Sequence, residues 1–127
     1  MPALIITEGK QKGLFLPLGH STAVVGRDPA IALQIEDQLA SRKHCQVRFD
    51  ETRNGYVLTD MKSANGTRIN DRVITGETVL NDDDEITIGS TKLLFTMSTP
   101  ADGPSAMEVL KSARERHHST IASPTRR

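Results

Sequence analysis

Cys45-Gln46-Val47-Arg48-Phe49 and Tyr56-Val57-Leu58-Thr59, joined through Arg53-Asn54-Gly55, decide how the rest of the chain is read. Cys45, Val47 and Phe49 fall on one side and Gln46 and Arg48 on the other, the alternation of a strand with one buried face. Asn-Gly tolerates the positive φ angles of a tight turn, so the second segment returns antiparallel to the first.

The same texture continues on both sides of this hairpin. Leu4–Thr7, Leu14–Leu18, Ala23–Gly26 and Leu33–Ile35 precede it, with Gly9, Gly13 and Asp28-Pro29 as breaks. Thr67–Ile69, Val73-Ile74, Thr78–Leu80, Glu85–Ile88 and Lys92–Thr96 follow it, and Asn81-Asp82-Asp83-Asp84 reads as a solvated turn. About eleven short strands with a turn every few residues predict an all-β fold, an antiparallel β-sandwich. No segment before residue 100 carries a helical period.

Composition changes at Ser98–Pro104, where two Pro, one Gly and small polar residues mark a linker. The expected organisation is therefore a β-sandwich domain over residues 1–98 and a tail over 99–127. Within the tail, Ser105-Ala106-Met107-Glu108 has the form of a capping box, which predicts a helix over about 105–116. A helix that short is marginal alone and needs a partner surface. Residues 117–127 read as a flexible end.

The 127 residues contain no Trp, one Tyr and three Phe, so the core rests on Val, Ile and Leu. Basic and acidic residues are equal at 16 each. A chain without a basic footprint or stacking aromatics is not built for nucleic acid. Cys45 is alone, which rules out an internal disulfide and a Cys-rich zinc site. It follows His44, but neighbouring strand residues point to opposite faces, so a Cys–His dyad is not expected and Cys45 reads as a core residue. His117-His118 have no third ligand nearby, and neither a metal nor a cofactor is implied. Ala3-Leu4-Ile5-Ile6 is too short for a signal peptide or a membrane span, which points to the cytoplasm and away from membranes.

Three pieces carry chemistry: Gly26-Arg27, Ser41-Arg42-Lys43-His44, and Asn65-Gly66-Thr67 with Asn70. Each alone is ordinary loop material. Together they offer two guanidiniums, a hydroxyl and an amide from three loops, and loops at one end of a sandwich can gather. Fixed, charge-assisted donors of this kind suit a phosphate dianion. Ser41 and His44 are three apart, but no acid is placed to orient the His, so catalysis is not expected.

The order and spacing of these pieces resemble the forkhead-associated (FHA) domain family over about residues 4–97. The resemblance implies an FHA/SMAD-like sandwich that binds phosphothreonine peptides. It gives Arg27, Ser41 and Arg42 to the phosphate and Asn65 to the peptide backbone. Gly26, His44, Gly66 and Asn70 become loop-structuring residues. Ala64 stands where family members often have Ser or Thr, so one hydroxyl contact is missing. Leu39 stands where some members carry a basic residue that reads an acid three places after the phosphothreonine, which implies an apolar preference there.

The function so implied is a non-enzymatic adaptor or regulator module in Ser/Thr-kinase signalling. Its partner would be a phosphothreonine protein, either a kinase or a kinase substrate. The alternative is an interaction module of the same fold that ignores phosphate. The tail holds Thr120 and Thr125, and a modified Thr120 could dock in cis or on a second molecule. The chain from residue 100 to 120 extends up to ~70 Å. Thr99, at the end of the last strand, is placed too close to reach.

Overall fold

The computed structural model describes residues 2–97. The expected helix over 105–116, Thr99, Thr120, Thr125 and His117-His118 lie outside the described residues. Eleven strands run in the order β1 (Ala3–Glu8), β2 (Phe15–Pro17), β3 (Ala23–Gly26), β4 (Leu33–Gln34), β5 (Cys45–Asp50), β6 (Gly55–Asp60), β7 (Arg68–Ile69), β8 (Arg72–Val73), β9 (Glu77–Val79), β10 (Glu85–Ile88) and β11 (Thr91–Thr96). They form two sheets. One has the order β2-β1-β11-β10-β7-β8, the other β4-β3-β5-β6-β9.

The core lies between the sheets. Leu4, Ile6, Ile69, Ile86, Ile88, Leu93 and Phe95 project from the six-stranded sheet. Val25, Leu33, Cys45, Val47, Tyr56 and Leu58 project from the five-stranded one. Period-two patterning places these residues on one face because successive side chains alternate across a strand. The few aromatics pack in series: Phe49 meets Tyr56 edge-on with centroids 5.3 Å apart, and Tyr56 lies 5.7 Å from Phe95. The Tyr56 hydroxyl donates to the Gly19 carbonyl at 3.0 Å, so its one polar atom is satisfied at the edge of the core.

The deciding hairpin forms β5 and β6 in antiparallel register, with Val47 opposite Leu58 and Asp50 opposite Gly55. Asn54, rather than Gly55, takes the positive φ of its turn, at 50°. One pair departs from the expected antiparallel arrangement. β4 runs parallel to β3, Val25 facing Leu33. The cause is local: the Asp28 carboxylate accepts from the Ala30 N–H and Ile35 N–H donates back to the Gly26 carbonyl, so residues 27–32 loop over and re-enter alongside β3. That loop, the β4–β5 loop (residues 35–44) and the β6–β7 loop (residues 61–67) carry the candidate residues.

The turn at 81–84 is a second correction. Asp84 is buried rather than solvated. Its carboxylate accepts from the Asn81 N–H and from Asn70 Nδ2, both at 2.8 Å.

Candidate functional site

β3 ends at a point where its backbone touches the β4–β5 loop. A Cβ on Gly26 would sit 2.3 Å from the Arg42 carbonyl oxygen and 2.8 Å from that of Ser41. Only glycine allows that approach. The contact is made by hydrogen bonds: Arg27 N–H donates to the Ser41 carbonyl at 2.9 Å and Asp28 N–H to the Arg42 carbonyl at 3.1 Å. The Arg27 side chain is exposed, yet its Nε–H donates to the Ala40 carbonyl at 3.1 Å. One nitrogen of the guanidinium is thereby anchored and the other two are presented outward. Among the described residues Arg27 has no carboxylate partner.

The β4–β5 loop is fastened in turn to the β6–β7 loop. His44 is fully buried. Its Nδ1 accepts from the Ser41 N–H at 2.9 Å and its Nε2–H donates to the Gly66 carbonyl at 2.7 Å. A backbone N–H can only donate and a carbonyl can only accept, so this pairing assigns the neutral ring with its proton on Nε2. Ser41 Oγ accepts from the Ala64 N–H at 2.9 Å. Asn65 Nδ2 donates to the Leu39 carbonyl at 2.8 Å. Gly66 follows with φ at +80°, a conformation that a side chain would strain.

Arg27, Ser41 and Asn65 are thus brought to one rim by bonds between their loops. Ser41 uses a lone pair to hold Ala64, so its hydroxyl hydrogen remains available to a ligand. Arg42 is at the same rim, with a side chain 74% exposed and 3.6 Å from the Asp28 carboxylate. Asn70 lies apart, in the β7–β8 hairpin. There it and Asp71 have φ of 50° and 69°, the mirror-image turn that a two-residue hairpin favours. Its amide bridges Asp84 and the Glu85 N–H.

Beside Asn65 runs a groove of about 250 Å³ lined by Leu39, Asn65, Gly66, Arg68, Thr87 and Gly89. Leu39 is 49% exposed there. The Thr87 hydroxyl is buried and has no partner among the described residues.

Two carboxylates that sequence reasoning passed over hold these loops in shape. Asp37 accepts from the N–H groups of Leu39 and Ser90 and from the Thr91 hydroxyl, tying the β4–β5 loop to the β10–β11 turn. Burial pushes its carboxyl up, but these bonds outweigh it and the net shift is downward. Asp60 accepts from Ser63 Oγ at 2.5 Å, from the Ser63 N–H and from Thr67 Oγ1 at 2.7 Å. Burial again raises its carboxyl, and again the hydrogen bonds win and lower it. The Asp-x-x-Ser spacing of residues 60–63 was the available signal for the second, since Asp bonding to a backbone N–H a few residues on is common in turns. Cys45 is in the core, where burial pushes its thiol up to about 12.

Residues 23–89 match the FHA domain family model. The oxoglutarate dehydrogenase inhibitor of Corynebacterium jeikeium is 35% identical over 94 residues, which is 72% of this chain and 62% of that one. The chain therefore spans less than two thirds of this curated relative. An FHA domain from a structural and functional analysis of phosphothreonine-dependent FHA domain interactions superposes with a TM-score of 0.68 at 25% identity, covering 78% of this chain and 98% of that one. Mycobacterium tuberculosis EmbR, solved in complex with a low-affinity phosphopeptide, superposes with a TM-score of 0.69 at 25% identity over 80% of this chain and 26% of its own. The sandwich, the glycine-enforced contact between β3 and the β4–β5 loop, and the matched span agree, and the chain belongs to the FHA domain family.

Proposed function

We propose that the rim carrying Arg27, Ser41 and Asn65 binds a phosphothreonine peptide, and that the protein is an adaptor or regulator in Ser/Thr-kinase signalling. The observation that carries this reading is the Arg27 guanidinium, held through Nε on the Ala40 carbonyl beside Ser41, with no carboxylate to neutralise it among the described residues. Two parallel N–H donors and a neighbouring hydroxyl are what a phosphate dianion accepts from. Arg42 adds a second positive charge, shared with Asp28. Asn65, already fixed to Leu39 through Nδ2, offers its carbonyl oxygen and remaining amide hydrogen to the peptide backbone.

The peptide continues into the groove between Leu39 and Arg68, where an apolar residue downstream of the phosphothreonine packs on Leu39. Each hydrogen bond to the charged ester contributes ~1.5–3 kcal/mol, and after the ordering of a flexible peptide the sum corresponds to roughly micromolar affinity. The named relative is an inhibitor, which favours action by docking on another protein over catalysis. The partner is a phosphorylated kinase or kinase substrate, met in the cytoplasm. The binding module spans residues 1–98, and a phosphorylated Thr120 in the tail is a candidate ligand for self-association.

The test is a degenerate phosphothreonine peptide library, titrated beside its unphosphorylated twin against wild type and Arg27→Ala. Binding of the phosphorylated library alone, lost in Arg27→Ala, supports the reading. Equal affinity for both libraries assigns the fold to a partner that carries no phosphate.

A further inference from the structure

The groove beside Asn65 has two unlike ends. At the loop rim its wall is Leu39, and backbone sets where Leu39 stands. A Cβ on Gly89 would sit 2.7 Å from the Leu39 Cβ and 2.9 Å from the Asp37 carboxylate oxygens, and Gly89 has φ of +60°. Glycine is what lets the β10–β11 turn close on Leu39. Asp37 holds the closure by accepting from the N–H groups of Leu39 and Ser90. This end is apolar.

The far end is polar. Arg68 in β7 is opposite Thr87 in β10, and Thr87 is opposite Lys92 in β11. Their chain neighbours Ile69, Ile86 and Leu93 enter the core. Arg68, Thr87 and Lys92 therefore alternate to the outer face of the six-stranded sheet. The groove runs from the rim to that face. Charge along the row is unevenly matched. Lys92 has two carboxylates, Glu8 at 3.4 Å and Glu85 at 3.8 Å. Arg68 is exposed and has no ion-pair partner among the described residues. The Thr87 hydroxyl beside it is buried, also without a partner among the described residues. A guanidinium and a hydroxyl side by side, both unmatched, call for an acceptor.

We infer, resting on the phosphothreonine reading, that Arg68 reads an Asp or Glu of the bound peptide, downstream of the phosphothreonine and beyond the apolar residue on Leu39. Arg68 is the one charged residue lining the groove. Its planar fork donates two parallel bonds to a carboxylate. An apolar residue at this end would cover the guanidinium without giving it an acceptor, which costs affinity. Leu39 offers no charge, so recognition of an acid belongs to β7 rather than to the β4–β5 loop. The sequence that fits the groove is then an apolar residue followed by an acid. Because Arg68 is exposed, the pair has the strength of a surface ion pair, up to about fivefold in affinity.

The test is titration of the full chain with phosphothreonine peptides that carry Asp, or its neutral twin Asn, at each downstream position in turn. All end in an amide, so the side chain is the one carboxylate added. Wild type is expected to bind the Asp peptide about threefold to fivefold tighter than its Asn twin at one position. In Arg68→Ala that ratio falls to about one, and in Arg68→Glu it drops below one. Arg72→Ala removes a cation from the other face of the same hairpin, where Arg72 is opposite Ile69, and keeps the wild-type ratio. No acid preference in wild type, a preference that survives Arg68→Ala, or an equal loss in Arg72→Ala overturns the proposal and leaves phosphate-dependent binding standing. Phosphorylated peptides that bind no tighter than unphosphorylated ones overturn both readings.

Discussion

His44 Nε2 donates to the Gly66 carbonyl over 2.7 Å, and through that bond a ring rooted at the start of β5 governs the loop that carries Asn65. The same ring accepts from the Ser41 N–H. Both candidate ligand-binding loops therefore depend on one buried side chain. His44→Ala leaves the Gly66 carbonyl and the Ser41 N–H without their partner. At ~1–3 kcal/mol for each unsatisfied group, the loss is about 2–6 kcal/mol. Urea unfolding measures it. A variant as stable as wild type would show that the two loops hold their shape without the ring.

Gly26→Ala forces a methyl group into the Arg42 and Ser41 carbonyls. Backbone on both sides gives no flexible atom to yield, so the expected cost is ~3 kcal/mol or more. The variant is expected to lose phosphopeptide affinity as well, because Arg27 and Ser41 move apart. A Gly26→Ala protein with a wild-type unfolding midpoint contradicts the close contact.

Arg27→Ala leaves the fold intact, since the side chain is exposed and donates one bond. It removes two donors to the phosphate and costs on the order of 2 kcal/mol or more, at least ~30-fold in affinity. Arg27→Lys keeps the charge without the planar fork and falls between the two. Titration calorimetry orders the three proteins, and a lysine variant equal to wild type would show that charge alone matters.

Acid weakens the loops through Asp37 and Asp60. Both carboxyls lie below their ordinary value of 3.8 in the folded protein. The unfolded chain therefore takes up protons first as pH falls. The stability that these carboxylates give is complete above about pH 5 and is lost as pH drops through the folded-state values. In unfolding curves across that window, Asp37→Asn and Asp60→Asn each have a flatter acid limb than wild type. Phosphopeptide affinity falls earlier, near pH ~6, where the phosphate gains its second proton.

Cys45 is inert while the chain is folded. Its thiol, pushed up to about 12 by burial and by the nearby Asp60 charge, against a smaller lowering from Thr67, stays protonated at neutral pH. A thiol reagent is expected to label it only in denaturant. Rapid labelling of the native protein would show that β5 opens to solvent.

Much of this was legible in the sequence because it rests on local chemistry. Alternation in Cys45–Phe49 gives a strand whether or not its neighbours are known, and each of the eleven strands has a counterpart among the segments read from pattern alone. The parallel pairing of β4 was not legible, because it depends on Ile35 N–H reaching back to the Gly26 carbonyl. Asp37 and Asp84 look like loop charges in sequence. Their roles depend on partners 53 residues and 14 residues away respectively, which only the fold supplies. The convergence of Arg27, Ser41 and Asn65 was suggested by order and spacing, while the bonds that lock it, to the carbonyls of Ala40 and Leu39 and from the N–H of Ala64, are backbone contacts without a sequence signature.

The most direct measurement is a map of backbone amide shifts as a phosphothreonine peptide is titrated into the isotope-labelled protein. The account predicts that the largest changes fall on Arg27, Ser41, Arg42 and residues 64–66, and that the unphosphorylated peptide leaves them in place. Changes centred on another face, or the same changes without the phosphate, would contradict it.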